Sequence, residues 1–135
     1  MKKIILFSFT LIVLNALIGN AQAVKKETKG GATAKVEAYY FHLTSRCVTC
    51  KAVEAEAKKN LESLYGENVT FQSINLEDNT NKLITDKLQI SGQTLLIVKG
   101  DHQINLTNEG FMYARNNPEK FKSIIKEKVD GLFKL

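Results

Sequence analysis

The chain's two cysteines, Cys47 and Cys50, stand three positions apart in the run Cys47-Val48-Thr49-Cys50. On the first turn of a helix this spacing sets the two Cα atoms about 5–6 Å apart, inside the range a disulfide accepts, so the pair could open and close with little backbone movement. The two sulfurs would be unequal. Cys47, at or just before the helix start, meets free backbone N–H groups and the positive end of the helix dipole, and both favour a thiolate. Arg46 adds a positive charge beside it. A thiol in that setting is the attacking one. Cys50, one turn further in and on the apolar stripe, is kept protonated by burial. It suits the resolving role, in which it attacks a mixed disulfide and releases the product.

Other chemistry for the same pair can be weighed. A purely structural disulfide would close so short a loop that it restricts the unfolded chain little. Structural zinc needs four ligands, and no second pair exists. Attachment of c-type haem needs a histidine after the second cysteine, where Lys51 stands. Two thiolates on one turn could instead hold a thiophilic ion such as Cu(I) or As(III). Cys47 and Cys50 therefore remain open as metal ligands beside their redox reading. His42 could shuttle a proton or supply an extra ligand; the plainer alternative is a strand-end histidine bonded to backbone or water. Met112 is the other soft side chain and otherwise reads as core filler. Tyr39, Tyr40 and Phe41 read as core or sheet-face residues, and Lys51 as solvent-facing. No flavin or nicotinamide fingerprint occurs, so no cofactor is expected.

The elements that must position the pair follow from pattern. Lys35 to Leu43 is aromatic-rich and nearly continuously apolar from Ala38, as in a strand covered on both faces. Val48 to Tyr65 repeats apolar residues at Cys50, Val53, Ala57, Leu61 and Leu64, a helical stripe that Gly66 stops. Val69 to Leu76 alternates as a second strand. Asn81 to Leu88 is a short helix candidate carrying Leu83, Ile84 and Leu88. Thr94 to Val98 is a buried strand, Lys99 to His102 a turn, and Gln103 to Thr107 the hairpin partner. Asn117-Pro118 starts a last helix that buries Phe121, Ile124, Ile125, Val129, Leu132 and Phe133. The expected order is β-α-β-α-β-β-α, with a right-handed parallel crossover between the first two strands. It implies an α/β fold: a four-stranded mixed sheet in spatial order 2-1-3-4, with helices on both faces.

The N-terminus reads as a leader. Lys2 and Lys3 precede an apolar run from Ile4 to Ile18, and Ala21-Gln22-Ala23 is a small-x-small cleavage signal. This is the layout of a secretory signal peptide over residues 1–23, too short in its apolar part to favour a membrane span; an uncleaved anchor is the alternative. Residues 24–34 read as a flexible lead-in and 35–135 as one domain, a size that suits one modest core. The expected location is periplasmic or otherwise extracytoplasmic, where disulfides persist. The leader holds two of the nineteen basic residues and none of the fourteen acidic ones, so the rest of the chain carries +3. Those charges are scattered among acids, so nucleic-acid binding is not expected. A protein thiol or disulfide is the expected partner, and the chain is expected to be monomeric.

From about Val36 onward the sequence resembles the thioredoxin superfamily, in which a helix-start C-x-x-C performs thiol–disulfide exchange. The resemblance carries that role onto Cys47 and Cys50, and it implies the thioredoxin-like fold. Gln93 to Asp101 is similar to the superfamily's Pro-Thr-strand-turn segment, with Gln93 where the family has a cis-proline facing the disulfide. The aromatic-Cys-Gly-Pro-Cys signature of thioredoxin is Arg46-Cys47-Val48-Thr49-Cys50 here. Residues 38–46 lack the buried acid, and no tryptophan is present. These departures point to a dedicated partner rather than general reduction. The pattern Tyr39-Tyr40-Phe41-His42 followed by Arg46-Cys47-x-Thr49-Cys50-Lys51 resembles small exported thioredoxin-like proteins classed as nitrophenyl-compound nitroreductase subunits, associated with organoarsenical detoxification. That resemblance implies a redox subunit working beside a membrane electron carrier.

Overall fold

The computed structural model describes residues 34–135. The signal-peptide reading of residues 1–23 and nearly all of the 24–34 lead-in fall outside the described residues. The first strand, β1 (Val36–His42), is buried on both faces, as its near-continuous apolar character requires. It sits centrally: β2 (Val69–Asn75) pairs with it in parallel, and β3 (Thr94–Lys99) pairs antiparallel on its other side. The outer strand β4 (His102–Asn105) pairs antiparallel with β3. The sheet order is β2-β1-β3-β4, as expected, and the architecture is thioredoxin-like. A tight turn at Gly100, with φ of 58°, joins β3 to β4 and favours glycine there.

Helix α1 (Val48–Tyr65) buries Cys50, Val53, Ala57 and Leu61 along one stripe. It stops at Gly66, whose φ is 52° and whose N–H returns to the Glu62 carbonyl. Helix α2 (Lys82–Lys87) lies on the opposite face of the sheet, where Ile84 and Leu88 pack on the cluster containing Phe41 and Leu96. Helix α4 (Pro118–Phe133) is capped by the Asn117 side chain, which accepts from the Lys120 N–H at 3.2 Å, and it buries Phe121, Ile125, Val129 and Leu132.

The element order needs one correction. A further helix, α3 (Thr107–Tyr113), follows β4, so the order is β-α-β-α-β-β-α-α, and Thr107 begins a helix instead of ending the strand. The Asn105 side chain accepts from the Thr107 N–H at 2.9 Å, turning the chain out of the sheet. The Thr107 hydroxyl then accepts from the Leu95 N–H at 2.9 Å, occupying the next donor of β3. Gly110 in mid-helix argues against helix on propensity, yet the packing demands it. A Cβ there would stand 2.8 Å from Val53 Cγ1. Three large apolar side chains are exposed, and two of them, Met112 and Phe133, were expected in the core. Leu83 is 86% exposed on α2 and Met112 is 59% exposed on α3. Phe133, 43% exposed, rests one ring face near Tyr65, with centroids 5.5 Å apart.

Candidate functional site

The C-terminal end of β1 delivers the chain into the segment Leu43–Arg46 and then into α1. Asn75, the last residue of β2, and Glu77 just beyond it hold that segment still. Glu77 accepts from the Thr44 N–H at 2.7 Å, and the Asn75 amide donates to the Thr44 hydroxyl at 2.9 Å. The Thr44 bonds hold the Glu77 carboxyl below the usual carboxylate range. Cys47 is thereby placed as the N-cap of α1, in extended conformation, and its sulfur accepts from the Cys50 N–H at 3.1 Å. A sulfur thus takes the position usually held by a serine or aspartate oxygen, satisfying one of the helix's orphan donors. No acidic side chain occupies the first turn, so nothing there opposes negative charge on Cys47.

Cys47 and Cys50 form a disulfide with Cα atoms 5.1 Å apart, within the separation expected from the spacing. Cys47 is exposed, whereas Cys50 is 6% exposed. The asymmetry inferred from helix position is thus present in accessibility. Arg46, expected to lend its charge to Cys47, forms an ion pair with Glu54 on the next turns of α1. A carboxylate therefore offsets much of the guanidinium's field, and the helix start carries more of the burden of stabilising a Cys47 thiolate.

Gln93 does face the disulfide. Its Oε1 lies 3.7 Å from Cys50 Sγ, and its Nε2 donates to the Tyr40 hydroxyl at 2.6 Å. No cis peptide bond occurs among the described residues. Tyr40 completes the arrangement by donating its hydroxyl hydrogen to the Cys50 carbonyl at 2.9 Å. Burial pushes the Tyr40 hydroxyl's pKa up; the Gln93 donor pulls it down, Glu54 adds to the rise and Arg46 opposes it. The hydroxyl therefore keeps its hydrogen. Tyr40 was read as core, and its ring is fully buried; the role of its oxygen was missed. A signal existed: a tyrosine inside an apolar strand needs a polar partner when its ring is buried.

His42 is 8% exposed and follows Tyr40 on the same face, ring centroids 6.0 Å apart. Its Nδ1 is 2.8 Å from the Leu43 carbonyl. A carbonyl only accepts, so Nδ1 carries the hydrogen, and the strand-end histidine bonds backbone as the plainer alternative held. Among the described residues no group of three His, Cys, Asp or Glu side chains is placed to hold a metal ion, so the sulfurs lack a third ligand of those types. Clefts of about 680 and 550 Å³ open at the other end of the sheet, around Lys35 and Lys99 or Lys35 and Gly100, away from the disulfide. Val48, next to Cys47 in the chain and well exposed, offers apolar surface beside it instead.

No protein-family model and no curated protein matches the chain. Among solved structures, a malarial protein is 21% identical, with a TM-score of 0.40, over 51% of this chain and 74% of its own. Trxlp from Edwardsiella tarda EIB202 is 14% identical, with a TM-score of 0.49, over 70% of this chain and 84% of its own. Thioredoxin from Wuchereria bancrofti is 16% identical, with a TM-score of 0.43, over 71% and 83%. The thioredoxin-like fold rests on this chain's own strand order and on the helix-start disulfide, independently of these likenesses.

Proposed function

We propose that the protein is a thiol–disulfide oxidoreductase of the thioredoxin superfamily, with Cys47 as attacking sulfur and Cys50 as resolving sulfur. The observation that carries this reading is a disulfide at a helix N-cap with one sulfur exposed and the other buried. In the reducing direction the Cys47 thiolate attacks one sulfur of a partner disulfide. A Cys47–partner bond forms, the partner's S–S bond breaks, and the second partner sulfur leaves as a thiolate. The Cys50 thiol then loses its proton to solvent and attacks Cys47. The Cys47–Cys50 bond forms and the first partner sulfur is released. Two electrons pass from the dithiol to the partner, which takes up two protons as its thiolates are neutralised. The reverse sequence oxidises a partner dithiol.

The finer reading is that the chain is exported after loss of residues 1–23 and acts as a monomer beside one membrane electron carrier. The leader pattern and the resemblance of Tyr39–Lys51 to the nitrophenyl-compound nitroreductase subunits support it. Replacing Cys50 with Ala tests both levels. Cys47 still attacks but nothing resolves the adduct, so a mixed disulfide should accumulate on non-reducing gels. One dominant adduct is expected for a dedicated carrier and a broad ladder for a general reductase. Cys47→Ala should trap far less. Absence of any adduct, together with tight Cu(I) or As(III) binding by the unsubstituted protein, would replace this reading with metal capture.

A further inference from the structure

We infer that Gln93, oriented by Tyr40, is a positioning residue that favours the dithiol over the disulfide by accepting a hydrogen bond from the Cys50 thiol. The inference rests on the reading that the Cys47–Cys50 pair cycles between the two states.

The argument is a count of hydrogens. Tyr40 has one hydroxyl hydrogen, and it is given to the Cys50 carbonyl. The Tyr40 oxygen can then only accept, so Gln93 must turn its NH₂ group toward Tyr40, as it does at 2.6 Å. An amide turned that way presents its carbonyl oxygen on the other side, and that oxygen lies 3.7 Å from Cys50 Sγ. The three groups form a closed circuit, from Cys50 carbonyl to Tyr40 hydroxyl to Gln93 amide to Cys50 sulfur. Both ends of the circuit are on one residue, so the sulfur and the acceptor aimed at it share one anchor.

The circuit acts differently on the two redox states. A disulfide sulfur has no hydrogen to donate, so the Gln93 oxygen gains nothing from it. On reduction two electrons and two protons enter, the S–S bond breaks, and Cys50 acquires an S–H that can meet the waiting oxygen. An interaction available to only one side of an equilibrium shifts it toward that side. The amide's polarity matters as much as its presence. With the NH₂ group facing the sulfur, the same side chain would favour a Cys50 thiolate instead of the thiol. Tyr40 sets which of the two it is. This assigns a chemical purpose to a polar residue in a place where the superfamily resemblance leads one to expect proline.

The purified protein, equilibrated in glutathione redox buffers and quenched by acid and alkylation, reports the dithiol–disulfide ratio by mass. Gln93→Met keeps an unbranched chain of similar length and removes the amide. It should shift the equilibrium toward the disulfide by about threefold to tenfold, the scale of one modest hydrogen bond, or roughly 14–30 mV at 29.6 mV per tenfold. Tyr40→Phe keeps the buried ring and frees the amide to flip, and it should move the equilibrium in the same direction by a smaller factor. The Arg46–Glu54 pair and His42 are untouched in both variants. Equilibria of both variants within about 1.5-fold of the unsubstituted protein, or displaced toward the dithiol, would overturn the inference while leaving the oxidoreductase reading standing. Failure of the unsubstituted protein to show any reversible two-electron equilibrium would instead overturn that reading, and this one with it.

Discussion

On one face of the sheet, α1, α3 and α4 enclose Val36, Ala38, Tyr40, Leu95 and Ile97; on the other, α2 and its flanking loops cover Tyr39, Phe41, Ile74, Leu96 and Val98. The first face contains three helices that interlock with one another, and its central side chains are completely buried. The second depends on a six-residue helix none of whose own residues is buried. The disulfide belongs to the deep face, since Cys50 continues the stripe of Val53, Ala57 and Leu61. The difference shows where rigidity is placed. The sulfur that lies 3.7 Å from Gln93 is carried by a helix packed on that deep face. The cover over the opposite face can open locally without moving it.

The largest effects should separate the two faces. Phe121, fully buried on the inner face of α4, should cost about 3–5 kcal/mol when replaced by Ala, a large share of the roughly 5–15 kcal/mol typical of a whole domain. Ile84→Ala on α2 removes a half-buried side chain and should cost about 1 kcal/mol. Urea unfolding of both variants gives the contrast directly, and equal losses would dissolve it.

Next in size is an overpacking effect. Gly110→Ala sets a methyl 2.8 Å from Val53 Cγ1 and 3.4 Å from Phe121 Cζ, and β-branched Val53 has no free rotation with which to withdraw. A loss of about 1–3 kcal/mol is expected. The same exchange at Gly131, where a Cβ meets nothing within 4 Å, should stabilise by up to about 1 kcal/mol. Thermal melts should therefore move in opposite directions for two glycine-to-alanine changes in helices, and a shared direction would show that propensity rather than depth governs them.

The smallest effect is confined to alkali. Burial, with help from the Glu37 charge and its hydrogen bond, pushes the Tyr39 hydroxyl on the thin face up to about 12 from 10.0. Its folded pKa lies above its unfolded one, so its contribution is fully present below pH 10 and is lost as pH rises from 10 toward 12. Tyr65 moves in the same direction, first through burial and then through its bond to Asp130. Tyr39→Phe should flatten the fall in unfolding free energy between pH 10 and 11.5 while leaving the pH 7 to 9 range level. An unchanged slope would mean that the thin face does not protect its tyrosine.

Most of the architecture was legible because its signals are local. The stripe from Cys50 to Leu61, the caps at Gly66 and Asn117, and the turn at Gly100 each depend on a few neighbouring residues. The strand order followed from connection rules that leave few alternatives. Helix α3 was not legible, because its central glycine lowers helix propensity for the sake of a contact with Val53, far away in sequence. The burial expected of Met112 and Phe133 failed for a related reason. An apolar residue on a helix is buried only where the rest of the chain supplies something to cover it.

The site divides along the same line. Residue type and spacing alone make Cys47 and Cys50 a closable pair, because one turn of helix sets that separation whatever surrounds it, whereas which sulfur is exposed depends on what packs against the turn. Placing Gln93 opposite the disulfide needed a resemblance. Finding Arg46 engaged with Glu54, and the Tyr40 oxygen between Gln93 and the Cys50 carbonyl, needed the folded chain. Those contacts join positions up to 53 apart in the chain. Directional hydrogen bonds between such residues depend on how strands and helix are packed in space, and no periodicity along the sequence encodes it.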